Sequence, residues 1–136
     1  MSDKPNSILV IEDDDFTAAL LQFLLERQQM QVTRVADGRA ALNRIAQGHA
    51  CDAVLLDLML PQVSGTEVLR QLRQHPGWAN RPVLVLSALD SGEDIAHAFT
   101  SGASDYLIKP FNPEELLARL EHRMAQSQGS AHETRT

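Results

Sequence analysis

The chain has 136 residues, of which 43% are hydrophobic and 22% charged, and its formal net charge is −6 at pH 7. This length suits a single domain with a sizeable core, and the acidic balance argues against a duplex-binding surface, which needs clustered Lys and Arg. We therefore expect no direct nucleic-acid binding by this chain.

Two further observations concern the cellular compartment of the protein. The single cysteine, Cys51, cannot form an internal disulfide. The start of the chain lacks an apolar signal core, and no apolar run approaches the roughly 20 residues of a membrane helix. We expect a cytoplasmic protein with no membrane contact.

Apolar runs and helical patterns alternate along the chain. Strands are predicted over residues 7–11, 31–36, 52–57, 82–86 and 105–108. Helices are predicted to begin after capping residues near positions 14, 37, 64, 91 and 112. We expect a frayed lead-in over residues 1–6, one domain over 7–125, and a flexible tail or linker stub over 126–136.

The first helix shows apolar residues at helical spacing, and four acids precede or open it. Its helical spacing is shown by Phe16, Ala19, Leu20, Phe23, Leu24 and Arg27. Helix capping accounts for one or two of the acids at positions 12–15. It does not account for four at the end of a buried strand.

Five strands alternating with five helices predict βα units and a doubly wound α/β fold, with a parallel sheet covered on both faces. The common five-strand order is 2-1-3-4-5, with ligands held outside the carboxyl ends of the strands. The chemistry is therefore expected at that edge of the sheet.

Five polar residues stand at the carboxyl ends of four predicted strands: Glu12, Asp13, Asp57, Ser87 and Lys109. Two carboxylates 4 Å apart repel by about 4 kcal/mol at an effective dielectric near 20, so three acids together favour a divalent cation. An all-oxygen site suits Mg²⁺, or Mn²⁺, better than zinc. The ammonium and hydroxyl suit a tetrahedral anion, and a carboxylate beside them can itself be the nucleophile.

In four places this sequence resembles the receiver domain of two-component response regulators, over about residues 7–125. The matching motifs are ILVIEDD at 8–14, VLLDLMLP at 54–61 followed by Gly65, LSA at 86–88, and GASDYLIKPF at 102–111. Each motif is weak alone, but the four in this order and spacing are highly specific. The resemblance implies a flavodoxin-like, CheY-like fold.

The resemblance also implies roles for individual residues. Asp57 would accept a phosphoryl group from a histidine-kinase phosphohistidine, without the chain being a turnover enzyme. Mg²⁺ would be bound by Asp13, Asp57 and the backbone carbonyl of Met59, with Glu12 acting through water. Two further residues, Ser87 and Lys109, would hold the phosphoryl oxygens.

A switch is implied as well. Tyr106 would turn inward as Ser87 moves toward the phosphoryl group, changing the surface formed by helix 4, strand 5 and helix 5. The Lys109–Pro110 peptide would be cis. The implied partners are a sensor histidine kinase or phosphotransfer protein and a downstream output domain or protein.

The chain departs from the DNA-binding subgroups of this family, many of which have two acids where Ser104 and Asp105 stand. Its fourth helix, residues 93–101, also lacks the Lys or Arg of their charged dimer face, although Arg119 is present. Both a monomer and a phosphorylation-dependent dimer remain open.

Two other functional classes fit the residues less well. A metal-dependent phosphatase with an aspartyl intermediate would resemble Asp-x-Asp, whereas Met59 occupies the second position here. A flavodoxin-type cofactor module needs a phosphate loop after the first strand, where acids stand instead. The side chains of Cys51 and Met59 are predicted to be core or near-core, and Trp78 is predicted to pack locally.

Overall fold

The computed structural model describes residues 5–133, so residues 1–4 and 134–136 of the predicted termini lie outside the described residues. Ten elements alternate strictly between strand and helix. The strands are β1 (Ser7–Ile11), β2 (Gln31–Val35), β3 (Ala53–Leu56), β4 (Val83–Ser87) and β5 (Asp105–Ile108). The helices are α1 (Asp15–Arg27), α2 (Gly38–Ala46), α3 (Gly65–Gln74), α4 (Gly92–Thr100) and α5 (Pro113–Glu133).

The five strands form one parallel sheet in the order β2-β1-β3-β4-β5, which confirms the predicted doubly wound fold. The register aligns the carboxyl ends: Ile11 pairs with Val35 and with Leu56, and Ser87 pairs with Ile108. Residues that follow these positions therefore meet at one edge. The polar β2 lies at the side of the sheet and the fully buried β3 at its centre, as predicted.

Both faces of the sheet are covered, because successive side chains of a strand point to opposite sides. In β1, Leu9 and Ile11 face the cluster under α2, α3 and α4, while Ile8 and Val10 face the cluster under α1 and α5. Trp78 is fully buried in the first cluster, and its indole N–H donates to the carbonyl of Ile45 (3.2 Å). Its predicted packing role is confirmed.

The five helix starts follow the predicted capping chemistry. In each case a side-chain oxygen accepts a backbone N–H three residues further on, which satisfies a donor that the helix itself cannot pair. The capping residues are Asp14, Asp37, Ser64, Ser91 and Asn112. Because Asp14 caps α1 and Asp15 lies in its first turn, only Glu12 and Asp13 of the four acids remain for the site.

The first helix is confirmed, but most of the residues whose spacing predicted it are not the ones that it buries. The residues of α1 buried against the sheet are Ala18, Leu21 and Leu25, whereas Phe16 and Phe23 are 78% and 58% exposed. The helix is apolar around most of its circumference, so spacing alone did not identify the inward face.

The last helix extends beyond the predicted domain boundary at residue 125 into the segment expected to be a flexible tail, because α5 continues to Glu133. Its buried residues Leu116, Leu120 and Met124 anchor the helix against the sheet. Extending an existing helix needs no new nucleus, and Gln, Ala and Glu in the following segment have good helix propensity. No helix within residues 5–133 is long and apolar enough to cross a membrane.

A pair of substitutions tests which face of α1 is buried. Leu21→Ala should lower the free energy of unfolding by about 2–5 kcal/mol, because it opens a cavity in the core. Phe23→Ala should cost less than about 1 kcal/mol, since the ring is exposed and contacts chiefly Arg27, 5.5 Å from its centroid. Urea unfolding of both variants makes the measurement, and equal losses would contradict the assigned face.

Candidate functional site

Three carboxylates meet at the carboxyl edge of the sheet. Glu12 and Asp13 follow β1 and Asp57 follows β3, and one oxygen from each lies within 4.8 Å of the others. Glu12 is only 1% exposed and Asp57 6%, whereas Asp13 is exposed. The sequence predicted this group, and the parallel register explains it: the Asp57 N–H donates to the carbonyl of Ile11 (3.0 Å).

One ammonium group bridges the two buried acids. Lys109 Nζ donates to Glu12 Oε1 (2.7 Å) and to Asp57 Oδ2 (2.9 Å). Burial alone would lower the pKa of Lys109, but the hydrogen bonds to both carboxylates outweigh it, and the pKa is raised. Lys109 therefore stays charged at neutral pH and supplies the cation that these acids require.

The charged form of Glu12 is less well stabilised than the charged form of Lys109. Burial raises its pKa above the ordinary value, against the lowering effect of the Lys109 hydrogen bond and of the Asp14 N–H; the charge on Asp57 raises it further. One lysine thus does not fully neutralise the cluster.

The loop after Asp57 is fixed by its backbone. The Met59 N–H donates to Asp57 Oδ1 (2.9 Å), and the Gly65 N–H donates to the carbonyl of Leu58 (2.9 Å). A Cβ at Gly65 would lie 2.5 Å from the Asp57 carbonyl oxygen, so only glycine allows this approach. The Met59 side chain is 55% exposed, which corrects its predicted near-core position. The backbone N–H of Met59 binds the site, whereas its side chain lies at the surface.

The remaining predicted residues border the cluster. Ser87 is fully buried at the end of β4, and its Oγ accepts from the Leu89 N–H (3.2 Å). Its carbonyl accepts from the Lys109 N–H (2.8 Å), which ties β4 to β5 below the ammonium. The Lys109–Pro110 peptide is cis, as predicted.

Tyr106 lies inward rather than on the surface. It is 7% exposed, and its hydroxyl donates to the carbonyl of Leu89 (2.7 Å). The Leu89 peptide is therefore held at its N–H by Ser87 and at its carbonyl by Tyr106. These bonds join the carboxyl edge of the sheet to the loop before α4.

Sequence reasoning missed the contacts made by three arginines. Arg34, at the end of β2, donates to the backbone carbonyl of Glu12, and Arg119 and Arg123 of α5 both bind the buried Asp105. Arg34 belongs to no motif, and its partner is a backbone atom, so no residue pattern could have revealed it. The Asp105 pairs lie at spacings that helix periodicity alone does not single out.

The donor set of the cluster fits a divalent cation. It consists of carboxylate oxygens without imidazole or thiolate, which is the preference of Mg²⁺ and Mn²⁺. Glu12 and Asp57 are buried while Asp13 faces solvent, so the site has protein oxygens on one side and water access on the other. Mg²⁺ typically retains several waters in such sites.

Comparisons with known proteins agree with this geometry. A family model described as the response regulator receiver domain matches residues 8–121. The sensory transduction protein RegX3 of Mycobacterium tuberculosis is 43% identical over 114 residues, which are 84% of this chain and 48% of that protein. The transcriptional regulatory protein SrrA of Staphylococcus aureus is 33% identical over 129 residues, 94% of this chain and 52% of that protein. The chain spans about half the length of these curated relatives.

Solved structures show the same fold. The receiver domain of the sensor histidine kinase PA1611 from Pseudomonas aeruginosa, which has a magnesium ion coordinated in its active site cleft, matches with a TM-score of 0.82 at 30% identity. That match covers 90% of this chain and 99% of the other. The BeF3-activated N-terminal receiver domain of RstA from Klebsiella pneumoniae matches with a TM-score of 0.79 at 36% identity, covering 88% and 98%.

The fold and the acidic cluster define a signalling domain of two-component systems, one whose carboxylates fit Mg²⁺ and a phosphoacceptor aspartate. The chain belongs to the response regulator receiver domain family. The family predicted from the four motifs is thereby confirmed.

The raised pKa of Glu12 predicts a pH-dependent stability difference. Without metal at about pH 7, Glu12→Gln should raise the free energy of unfolding by about 1 kcal/mol, a fraction of the roughly 4 kcal/mol repulsion of two charges 4 Å apart at a dielectric of 20. An acid whose pKa is raised by folding gains stability as the pH falls through its folded pKa toward its unfolded pKa, so the wild type should approach the variant in acid.

Urea unfolding with a chelator, repeated from about pH 8 down to about pH 4, measures this difference. Glu26→Gln, in the exposed last turn of α1, is the matched control and should show no such convergence. A Glu12→Gln variant less stable than the wild type at neutral pH would contradict the prediction.

Proposed function

We propose that Asp57 is the phosphoacceptor of a two-component signalling pathway and receives its phosphoryl group from a phosphohistidine on a sensor histidine kinase or phosphotransfer protein. The observation that carries this proposal is the pairing of a nearly buried Asp57 with Lys109 beside two further acids. The chain's membership of the receiver family supports it.

The reaction is a simple displacement at phosphorus. A carboxylate oxygen of Asp57 forms the new P–O bond while the P–N bond of the phosphohistidine breaks, and the bonding pair leaves with the imidazole nitrogen. Lys109, already 2.9 Å from Asp57 Oδ2, balances the charge on the phosphoryl oxygens. Ser87 supplies a hydroxyl donor once its Oγ turns from the Leu89 N–H toward them.

Asp13, Asp57 and the backbone carbonyl of Met59 would hold Mg²⁺, or Mn²⁺, with Glu12 acting through water. When bound, the ion reduces the repulsion between the attacking carboxylate and the phosphoryl oxygens. The proximity of the three carboxylates and the exposure of Asp13 to solvent support this assignment.

The proposed output is a change in the surface formed by α4, β5 and α5. A phosphoryl group adds about two negative charges at Asp57, and movement of Ser87 toward it releases the Leu89 N–H. The Leu89 carbonyl is bonded to Tyr106, so the change passes to β5 and to the loop before α4. Such coupling is typically worth about 1–3 kcal/mol.

Under this proposal, the chain is a cytoplasmic signalling domain that assists its own phosphorylation and dephosphorylation. It does not turn over an external substrate. Its output domain or protein is separate from residues 7–125, and DNA contact is left to that partner. A phosphatase is less favoured, because the residue two after Asp57 is Met59, where such an enzyme would have a second aspartate.

Phosphorylation is directly testable. The wild type, incubated with Mg²⁺ and a small acyl-phosphate donor, should gain the mass of one phosphoryl group, and Asp57→Asn should gain none because the nucleophilic oxygen is lost. Asp90→Asn, which alters an exposed aspartate, is the matched control and should still be labelled. Intact-mass spectrometry makes the measurement.

Two results would overturn the proposal: a folded wild type that gains no phosphoryl group, or an undiminished adduct in Asp57→Asn. Steady release of phosphate from unrelated monoesters would favour the phosphatase. Light scattering of the labelled protein would distinguish a monomer from a phosphorylation-dependent dimer.

Ser87→Ala should separate phosphorylation from switching. The adduct on Asp57 should still form, at a rate reduced by about tenfold or less, since one hydroxyl donor contributes modestly. Amide NMR shifts in α4 and β5 on phosphorylation should be clearly smaller than in the wild type, and Ser91→Ala, at the exposed cap of α4, is the control. Undiminished shifts would show that Ser87 does not carry the switch.

A further inference from the structure

Arg34 makes an unusual contact with the loop that carries two of the acids. It lies in β2, beside β1, and its Nε and Nη2 both donate to the backbone carbonyl of Glu12, at 2.9 and 2.8 Å. Its Nη2 also lies 3.0 Å from Asp15 Oδ1. One guanidinium thus contacts the backbone before Asp13 and the side chain two residues after it.

We propose that Arg34 is a positioning residue that holds the loop between β1 and α1 so that Asp13 is presented to the cation site. The Glu12 carbonyl belongs to the peptide that joins Glu12 to Asp13. Fixing that peptide plane therefore fixes the direction in which Asp13 leaves the chain. The contact between Arg34 and the loop does not depend on the proposed function. Only its expected effect on cation affinity rests on the proposed Mg²⁺ binding.

Arg34 adds a contact from β2 to the others that hold this loop. Residues 12–15 are four consecutive acids, which repel one another and have no buried apolar side chain to anchor them apart from what α1 provides. The Glu12 N–H donates to the Val35 carbonyl (3.1 Å), so with Arg34 both polar groups of this residue's backbone are attached to β2. The Arg34 side chain is 26% exposed, which limits its freedom to leave.

For holding the Glu12 carbonyl, the two-donor geometry of the Arg34 guanidinium matters more than its charge. Two N–H groups of a planar guanidinium can grip one carbonyl, whereas the ammonium of lysine is a single flexible donor. The exposed ion pair with Asp15, whose side chain is 94% exposed, contributes little by itself.

Charge and positioning predict opposite effects on cation binding. Arg34 places a positive charge near the acidic cluster, so if it acted by charge alone its removal would tighten Mg²⁺ binding. If it positions Asp13, its removal should weaken binding. Outer contacts that orient metal ligands typically change affinity by about 10–100-fold, and a contact through the backbone belongs at the low end.

The test measures Mg²⁺ affinity by calorimetry for the wild type, Arg34→Ala and Arg34→Lys. We expect the dissociation constant to rise about tenfold in Arg34→Ala and to rise in Arg34→Lys as well, because lysine keeps the charge and loses the fork. Arg39→Ala is the charge-matched control: Arg39 is exposed in α2, forms no ion pair within residues 5–133, and should leave the affinity nearly unchanged.

Hydrogen exchange of the metal-free proteins provides a second readout that needs no cation. The amides of Glu12 and Asp14, which donate to the Val35 carbonyl and to Glu12 Oε2, should exchange about tenfold faster in both Arg34 variants, while those of the central strand β3 should not change. A uniform increase across the sheet would indicate general destabilisation and would overturn a specific positioning role.

The outcomes separate this inference from the proposed function. Tighter or unchanged Mg²⁺ binding in Arg34→Ala, with a wild type that binds, overturns the positioning role. A wild type that binds no Mg²⁺ overturns the proposed cation site, and the exchange rates at residues 12 and 14 then decide alone whether Arg34 holds the loop.

Discussion

The interaction on which this structure depends is the bridge from Lys109 to Glu12 and Asp57, at 2.7 and 2.9 Å. Two nearly buried carboxylates and an exposed third face one ammonium, so the site has more negative charge than its own lysine balances. Burial of unbalanced charge is costly, which is why the pKa of Glu12 is raised. The same imbalance makes the site receptive to a cation. Stability and the proposed chemistry therefore oppose each other at these residues.

The sheet makes this concentration of charge possible. Parallel strands align their carboxyl ends, and the register brings Ile11, Leu56 and Ser87 to one edge, so the residues just beyond them leave the apolar layers together. The ends of β1, β3 and β5 supply the acids and the lysine, and β4 supplies Ser87. Each of these side chains lies at or just after the end of a strand that contributes residues to both core clusters. The rigidity of the core is thereby passed on to the site.

Much of this could be predicted from the sequence, because the strands are short apolar runs and the helix caps are polar residues of the types that bind backbone N–H groups. The acidic cluster was predictable because strand order follows from alternation, and strand ends are visible in the sequence. The inward face of α1 was not, since Phe16 and Phe23 are as apolar as Leu21 and only packing distinguishes them. Nor was Arg34, whose partner is a carbonyl that every residue possesses. Sequence patterns indicate side-chain chemistry, but they do not indicate contacts to the backbone.

The proposed switch depends on the hydrogen bonds made by the backbone of Leu89. The Leu89 N–H donates to the Ser87 hydroxyl and the Leu89 carbonyl accepts from the Tyr106 hydroxyl, so the two proposed switch residues are joined through one backbone segment. If Ser87 turns toward the phosphoryl oxygens, the Leu89 N–H loses its acceptor and the loop before α4 must rearrange to satisfy it. Because the Tyr106 hydroxyl is bonded to the same loop, the rearrangement reaches the ring as well, and the loop is the element with two arrangements.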